Sequence, residues 1–148
     1  MSDILGTEPS TWKYVSEGGA TIVFSYKGPP HSDFDGTVLR LRKTPIAAEI
    51  GNKASTVAAS NKEELDDPSI EFQMKCMQRL IPPEHLPRLE TVGLNRAWLE
   101  ELVRLQDHLR PEARRRKDLI DLNKTKGVLA TDLVGGNWLA VEIKVGFF

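Results

Sequence analysis

Apolar and polar residues alternate through three short runs near the start of the chain. Residues 12–15 and 21–26 are rich in β-branched and aromatic side chains, with Thr21, Val23 and Ser25 alternating against Ile22, Phe24 and Tyr26. In residues 37–43, Arg40 and Arg42 alternate with apolar residues. A period of two predicts three β-strands. Gly18-Gly19 separates the first pair, and the Pro, Gly and Asp residues of 27–36 make a loop before the third. The first 43 residues thus read as an antiparallel meander. Beyond them the period lengthens. Asp67-Pro68-Ser69 is a helix start, followed at helical spacing by Phe72, Cys76 and Leu80, or Ile70, Met74, Met77 and Ile81. Pro82-Pro83 stops this helix, and residues 84–94 read as a connector. Asn95 caps a second helix whose stripe is Trp98, Leu102, Leu105 and Leu109, ended by Pro111. Residues 113–122 are basic, then apolar. Residues 127–133 and 137–145 read as two further strands across a Gly135-Gly136 turn. Residues 1–10 read as a mobile lead-in, and residues 44–68 as a poorly ordered insertion with some helix. The order β-β-β-α-α-β-β, strands enclosing helices, argues for an α+β fold with an antiparallel sheet and flanking helices.

Composition narrows the picture. A length of 148 residues fits one domain, and 40% hydrophobic content supports a packed core. A formal net charge of -1 gives no field that selects a partner, so any anion site needs local clustering of cations. Such clusters exist at Arg40, Arg42 and Lys43, and at Arg110, Arg114, Arg115, Arg116 and Lys117. The lone cysteine, Cys76, cannot form an internal disulfide, and the first ten residues lack the charged start and apolar run of a signal peptide. The expectation is an intracellular location, nuclear and/or cytoplasmic. No run approaches the roughly 18 apolar residues of a membrane span. His31, His85 and His108 show no ligand spacing with Cys76, so no metal site is expected. Cys76 reads as a small core residue on its apolar stripe.

Each candidate feature has two readings at this point. Gly18-Gly19 makes a tight hairpin, or lets backbone amides lie close to a phosphate. Arg40, with Arg42 and Lys43 beside it, binds an anion or lines a solvated strand face. The cluster around Arg114 is a soluble helix end favoured by the helix dipole, or a polyanion site. The latter needs several cations, because one close pair in water contributes only about 1 kcal/mol. Asp132 equally reads as a turn residue.

The ordered motifs W-x-Y-x-x-EGGA-x-x-V-x-x-Y, G-x-V-L-R-L-R-K, LIPPEHL, RPEARRRKDL and V-E-I-K resemble the N-terminal lobe of the inositol-pentakisphosphate 2-kinases. Residues 44–68 carry none of the resemblance. It implies a protein-kinase-like N-lobe over residues 11–144, with the C-lobe absent. It implies ATP-dependent phosphorylation of inositol 1,3,4,5,6-pentakisphosphate at the 2-hydroxyl to give inositol hexakisphosphate, with ATP and Mg2+ as cofactors. Carried over residue by residue, Gly18, Gly19 and Ala20 form the phosphate-covering turn. Arg40 stands at the ATP phosphates in place of the usual kinase lysine, where its planar fork pairs with two phosphate oxygens. Thr131, Asp132 and Leu133 fall where the hinge meets adenine. Arg114 falls on a residue that reaches the inositol phosphate. Lys144 falls on the first lysine of the family's Glu-Ile-Lys-Pro-Lys, which lines the site between the lobes.

The chain departs from that motif at Val145, and residues 145–148 do not match. The family's catalytic aspartate base, its metal-binding aspartate and most of its substrate-binding cations belong to the C-terminal lobe. The expectation is therefore a truncated gene model, inactive alone, with no catalytic or metal-binding residue of its own. It is expected to be a monomer without membrane or nucleic-acid partners. The alternative from another class is a non-catalytic module that binds polyanions or RNA through Arg110, Arg114, Arg115, Arg116 and Lys117. A third is a short partner that docks on another chain.

Overall fold

The computed structural model describes residues 2–47, 63–135, 139–141, 143 and 146. The expected meander is present as β1 (Trp12–Glu17), β2 (Thr21–Tyr26) and β3 (Thr37–Pro45). Phe24 pairs with Tyr14 on β1 and Leu39 on β3. Successive side chains on a strand point to opposite faces. Trp12, Ile22, Phe24, Leu39 and Leu41 therefore share the core face and are buried. Thr21, Val23, Arg40 and Arg42 share the other.

The sheet continues past β3 through strands that period-two reading did not all reveal. β4 (Leu89–Gly93), β5 (Asp118–Ile120) and β6 (Lys126–Thr131) complete it. The order is β1-β2-β3-β6-β4, with β5 on the end of β3, and every pairing is antiparallel. The supposed connector over residues 84–94 thus holds the strand that closes the sheet. The strand expected over residues 137–145 falls partly outside the described residues. Its described members, Leu139, Ala140, Val141 and Ile143, are exposed and belong to no strand.

The helices begin where their caps predict. Asp67 accepts from the Ser69 N–H and starts α1 (Pro68–Phe72), which runs through a π-helical turn (Gln73–Met77) into α2 (Gln78–Leu80). Asn95 accepts from the Trp98 N–H and starts α3 (Arg96–Gln106), which buries Trp98, Leu99 and Leu102. A short α4 (Glu112–Arg115) leads into β5. The apolar stripe of α1 and α2 is a correction: only Ile70 is buried, while Phe72, Met74, Leu80 and Cys76 are exposed. Helical spacing says which residues share a face, not whether anything covers it. Cys76 is accordingly no core residue.

The first ten residues are also corrected. They pack on the core, with Ile4 fully buried. Both buried indoles need an acceptor, and Thr7 serves both: its hydroxyl takes the Trp12 N–H and its carbonyl the Trp98 N–H, each at 2.9 Å. The Ser2 N–H donates to Glu90 at 2.7 Å, and Arg88 holds the same carboxylate. Burial alone would raise the Glu90 carboxyl, but the Arg88 and Ser2 hydrogen bonds outweigh it and hold the group at about 2. Glu17, Asp67 and Asp132 are also held below the usual carboxylate range. These folded-state values lie below the unfolded ones, so the stability they contribute is present above about pH 4.3 and is lost as pH falls through them. The melting temperature, followed by circular dichroism, is expected to fall between about pH 5 and pH 2. Glu90→Gln should flatten part of that fall. Among the described residues no helix is long and apolar enough to cross a membrane.

Candidate functional site

The glycine turn joins β1 to β2 through Gly18, Gly19 and Ala20. It is held from both sides: the Gly18 N–H donates to the Thr21 carbonyl at 2.9 Å, and the Lys43 N–H donates to the Ala20 carbonyl at 3.0 Å. Two-residue hairpin turns take glycine because they need positive φ. Among the described glycines only Gly36 has positive φ, at 69°. A Cβ built on Gly18 or Gly19 meets no atom within 4 Å. Neither backbone conformation nor packing therefore demands glycine at these two positions, and the space over the turn is open. Gly135 is the contrast: a Cβ there would collide with the Asp132 carboxylate, which would have to shift.

Beside the turn, on the side of the sheet opposite the core, lies a hollow of about 300 Å³ lined by Thr21, Val23, Arg40, Arg42, Asp67, Ser69 and Val128. Its two arginines differ. Arg42 pairs with Asp67 at 2.7 Å, so it anchors the start of α1. Arg40, half-buried between Val23 and Val128 on the flanking strands, makes no ion pair or side-chain hydrogen bond among the described residues. Asp67 is the hollow's one carboxylate. Burial would raise it, but Ser69 and Arg42 hold it ionised and neutralised. Among the described residues the hollow therefore presents one uncommitted cation over Val23 and Val128, which suits an anion. A larger hollow of about 960 Å³ beside α1 is rimmed by Glu63, Glu64, Asp66, Glu71 and Asp121 against two lysines, Lys75 and Lys124, and suits an anion less.

Lys43 does not belong to this face. The change of parity turns it to the core side, where it is 1% exposed and pairs with Glu17 at 2.7 Å. The reading of Lys43 as part of a solvated face is thereby corrected. A lysine sent to the core side needs a carboxylate there, and the Glu immediately before Gly18 was the available signal.

At the other end of the strip, β6 brings Thr131, Asp132 and Leu133 alongside β3. Val128 stands opposite Arg40, so Thr131 is roughly 10 Å along the strand from it. The Thr131 N–H donates to the Arg88 carbonyl at 3.1 Å, and the Asp132 N–H to the Gly36 carbonyl at 2.8 Å. Asp132 is a turn-former as well. Its carboxylate accepts from the Val134 and Gly135 N–H groups at 3.0 and 2.7 Å and from the Ser25 hydroxyl at 2.8 Å. Burial would raise its carboxyl, but these donors hold it low. Neither amide, nor the Asp132 side chain, is left for a ligand. Leu133 is exposed.

The basic cluster does not act as one surface. Arg110 is buried, with its fork on both oxygens of Glu17 at 2.9 and 3.0 Å. It also holds Asp107 at 3.0 Å and the Asp118 carbonyl at 3.0 Å. Arg116 pairs with Glu112 on the same helix. Arg115 Nε is buried without a hydrogen-bond partner among the described residues. Arg114 lies against the glycine turn, Nη1 donating to the Gly18 carbonyl at 3.4 Å. Lys144 lies outside the described residues. Among the described residues no three His, Cys, Asp or Glu side chains converge as metal ligands.

The relatives of this antiparallel α+β chain define a class: they are kinases. The family model described as inositol-pentakisphosphate 2-kinase matches residues 14–147. Two curated proteins named inositol-pentakisphosphate 2-kinase, from Cryptococcus neoformans var. neoformans serotype D strains JEC21 and B-3501A, are each 33% identical over 144 residues. The match takes in 93% of this chain and 32% of each relative. The chain belongs to the inositol-pentakisphosphate 2-kinase family, and it spans about a third of the length of these relatives.

Proposed function

We propose that this chain forms the nucleotide-covering part of an enzyme that moves the ATP γ-phosphoryl group to the 2-hydroxyl of inositol pentakisphosphate, giving inositol hexakisphosphate. One observation carries the reading: Gly18 and Gly19 are required by neither φ nor packing, yet they stand over open space beside an arginine that is uncommitted among the described residues. A ligand whose phosphates approach the backbone accounts for both glycines. Arg40 then pairs its fork with phosphate oxygens, and Val23 and Val128 support the nucleotide from below. Adenine lies toward the end of β6, where it meets Leu133 and the carbonyls of Thr131 and Asp132, because those two amides are already engaged. Arg114, at the edge of the turn, meets the inositol polyphosphate.

The described residues do not fit a magnesium site. Asp67, the one carboxylate in the hollow, is already committed to Arg42 and to the cap of α1. The metal ligands and the base that takes the 2-hydroxyl proton are assigned to the part of the family length this chain does not span. The isolated chain is then inactive and binds nucleotide weakly. The polyanion-module alternative loses one member of its cluster, since Arg110 is held by Glu17. We place the protein inside the cell.

The test is a titration of the isotopically labelled chain with a non-hydrolysable ATP analogue, read by backbone NMR. Shifts are expected at Gly18, Gly19, Ala20 and around Arg40. Shifts confined to the α1 hollow, or none at millimolar ligand, would refute the proposal.

A further inference from the structure

We infer that Glu17, Lys43 and Arg110 form a buried ionic clamp that fixes the glycine turn relative to Arg114, making Glu17 and Arg110 positioning residues for the bound phosphates. The inference rests on the nucleotide reading above and extends it to residues outside the hollow.

Glu17 ends β1 and is bonded to Gly18. Its carboxylate is held from two directions, by the Arg110 fork and by Lys43 Nζ, and all three side chains are 1% exposed. Lys43 spans the turn. Its side chain holds the residue before the turn, and its backbone N–H holds Ala20 at the turn's end. Its ammonium also reaches Asp118 at 3.2 Å, and Arg110 holds the Asp118 carbonyl, so both cations are tied to β5. Arg110 lies in the extended segment just before α4, four residues ahead of Arg114, whose N–H and guanidinium bond the Pro111 and Gly18 carbonyls respectively. The turn and Arg114 are therefore joined twice, once through the buried fork and once at the surface.

Stability alone is a poor account of this cluster. Buried ion pairs are often replaceable by apolar side chains of similar volume without loss. A bidentate guanidinium–carboxylate pair adds direction, because two parallel bonds fix the orientation of both groups. Direction is what a phosphate-covering backbone needs, since small displacements of a ligand-binding group cost affinity steeply. The clamp sits behind the turn, on the face away from the hollow, where it sets the turn without touching the nucleotide.

Three variants of this chain test the clamp: Arg110→Lys, which keeps the charge but loses the fork; Glu17→Gln; and the apolar triple Glu17→Met, Lys43→Met, Arg110→Met. Each is measured for melting temperature, for amide hydrogen exchange at Gly18 and Lys43 without ligand, and for affinity toward an ATP analogue. Glu17→Gln removes the carboxylate that both buried cations share, leaving Lys43 only Asp118 and Arg110 only Asp107 as ionic partners, and is expected to melt lowest. The triple variant is the decisive one. Its melting temperature is expected to equal or exceed the parent's, while exchange at the two turn amides rises about tenfold or more. Affinity should fall with it. A folded triple variant with parental exchange at both amides would overturn the clamp. If exchange responds as expected but the parent chain binds no ATP analogue, the clamp on the turn stands and the nucleotide reading fails.

Discussion

Arg40→Ala is expected to weaken binding of an ATP analogue to this chain by about tenfold to a hundredfold, with the melting temperature almost unchanged. Hydrogen bonds to charged groups contribute about 1.5–3 kcal/mol each when they form with good geometry, and about 1.4 kcal/mol is a factor of ten. Arg40 makes no ion pair or side-chain hydrogen bond among the described residues, so its removal orphans nothing and costs the fold within about 0.5 kcal/mol. Arg42→Ala is the natural control. It frees Asp67, which caps α1, so it should lower the melting temperature. Isothermal titration calorimetry reads the affinities, and thermal denaturation reads the stabilities. Parental affinity in Arg40→Ala would remove Arg40 from the site.

Much of the fold was legible because the period was strong. Six residues of β2 alternate between Thr21 and Tyr26, and Asp67 and Asn95 cap helices as their residue types require. β4 and β5 escaped because they are short and each buries a single side chain, Val92 and Ile120, leaving no alternation to read. Ile4 escaped because one apolar residue among polar neighbours shows no period, and its burial is decided by packing from elsewhere in the chain. The exposed face of α1 and α2 had the opposite problem, a clear period with nothing described over it.

At the candidate site, the glycines and Arg40 are singled out by the family resemblance of the motifs around them. What separates Arg40 from Arg42 could not, because it depends on Asp67 arriving from 25 residues away. The Glu17 clamp was hidden for the same reason. Its partners lie 26 and 93 residues off, and the basic run that holds Arg110 looks uniform until burial divides it. Asp132 was ambiguous in the sequence, and the Ser25 hydroxyl and two backbone amides decide it in favour of the turn.

The paired substitutions Gly18→Ala and Gly19→Ala carry the second large effect. An added methyl group meets nothing at either site and violates no φ requirement. Replacing glycine where alanine fits restricts the unfolded chain and stabilises by about 0.4–1 kcal/mol. The same methyl groups stand where the phosphates would approach the backbone. The double variant is therefore expected to melt at or slightly above the parent temperature while its affinity for an ATP analogue falls about tenfold or more. That pair of numbers, taken on one preparation, is the measurement to make. Higher stability with lost affinity is the predicted result, since it means the glycines serve the ligand and not the fold. Unchanged affinity, at whatever melting temperature, would contradict the account, because the turn would then cover nothing.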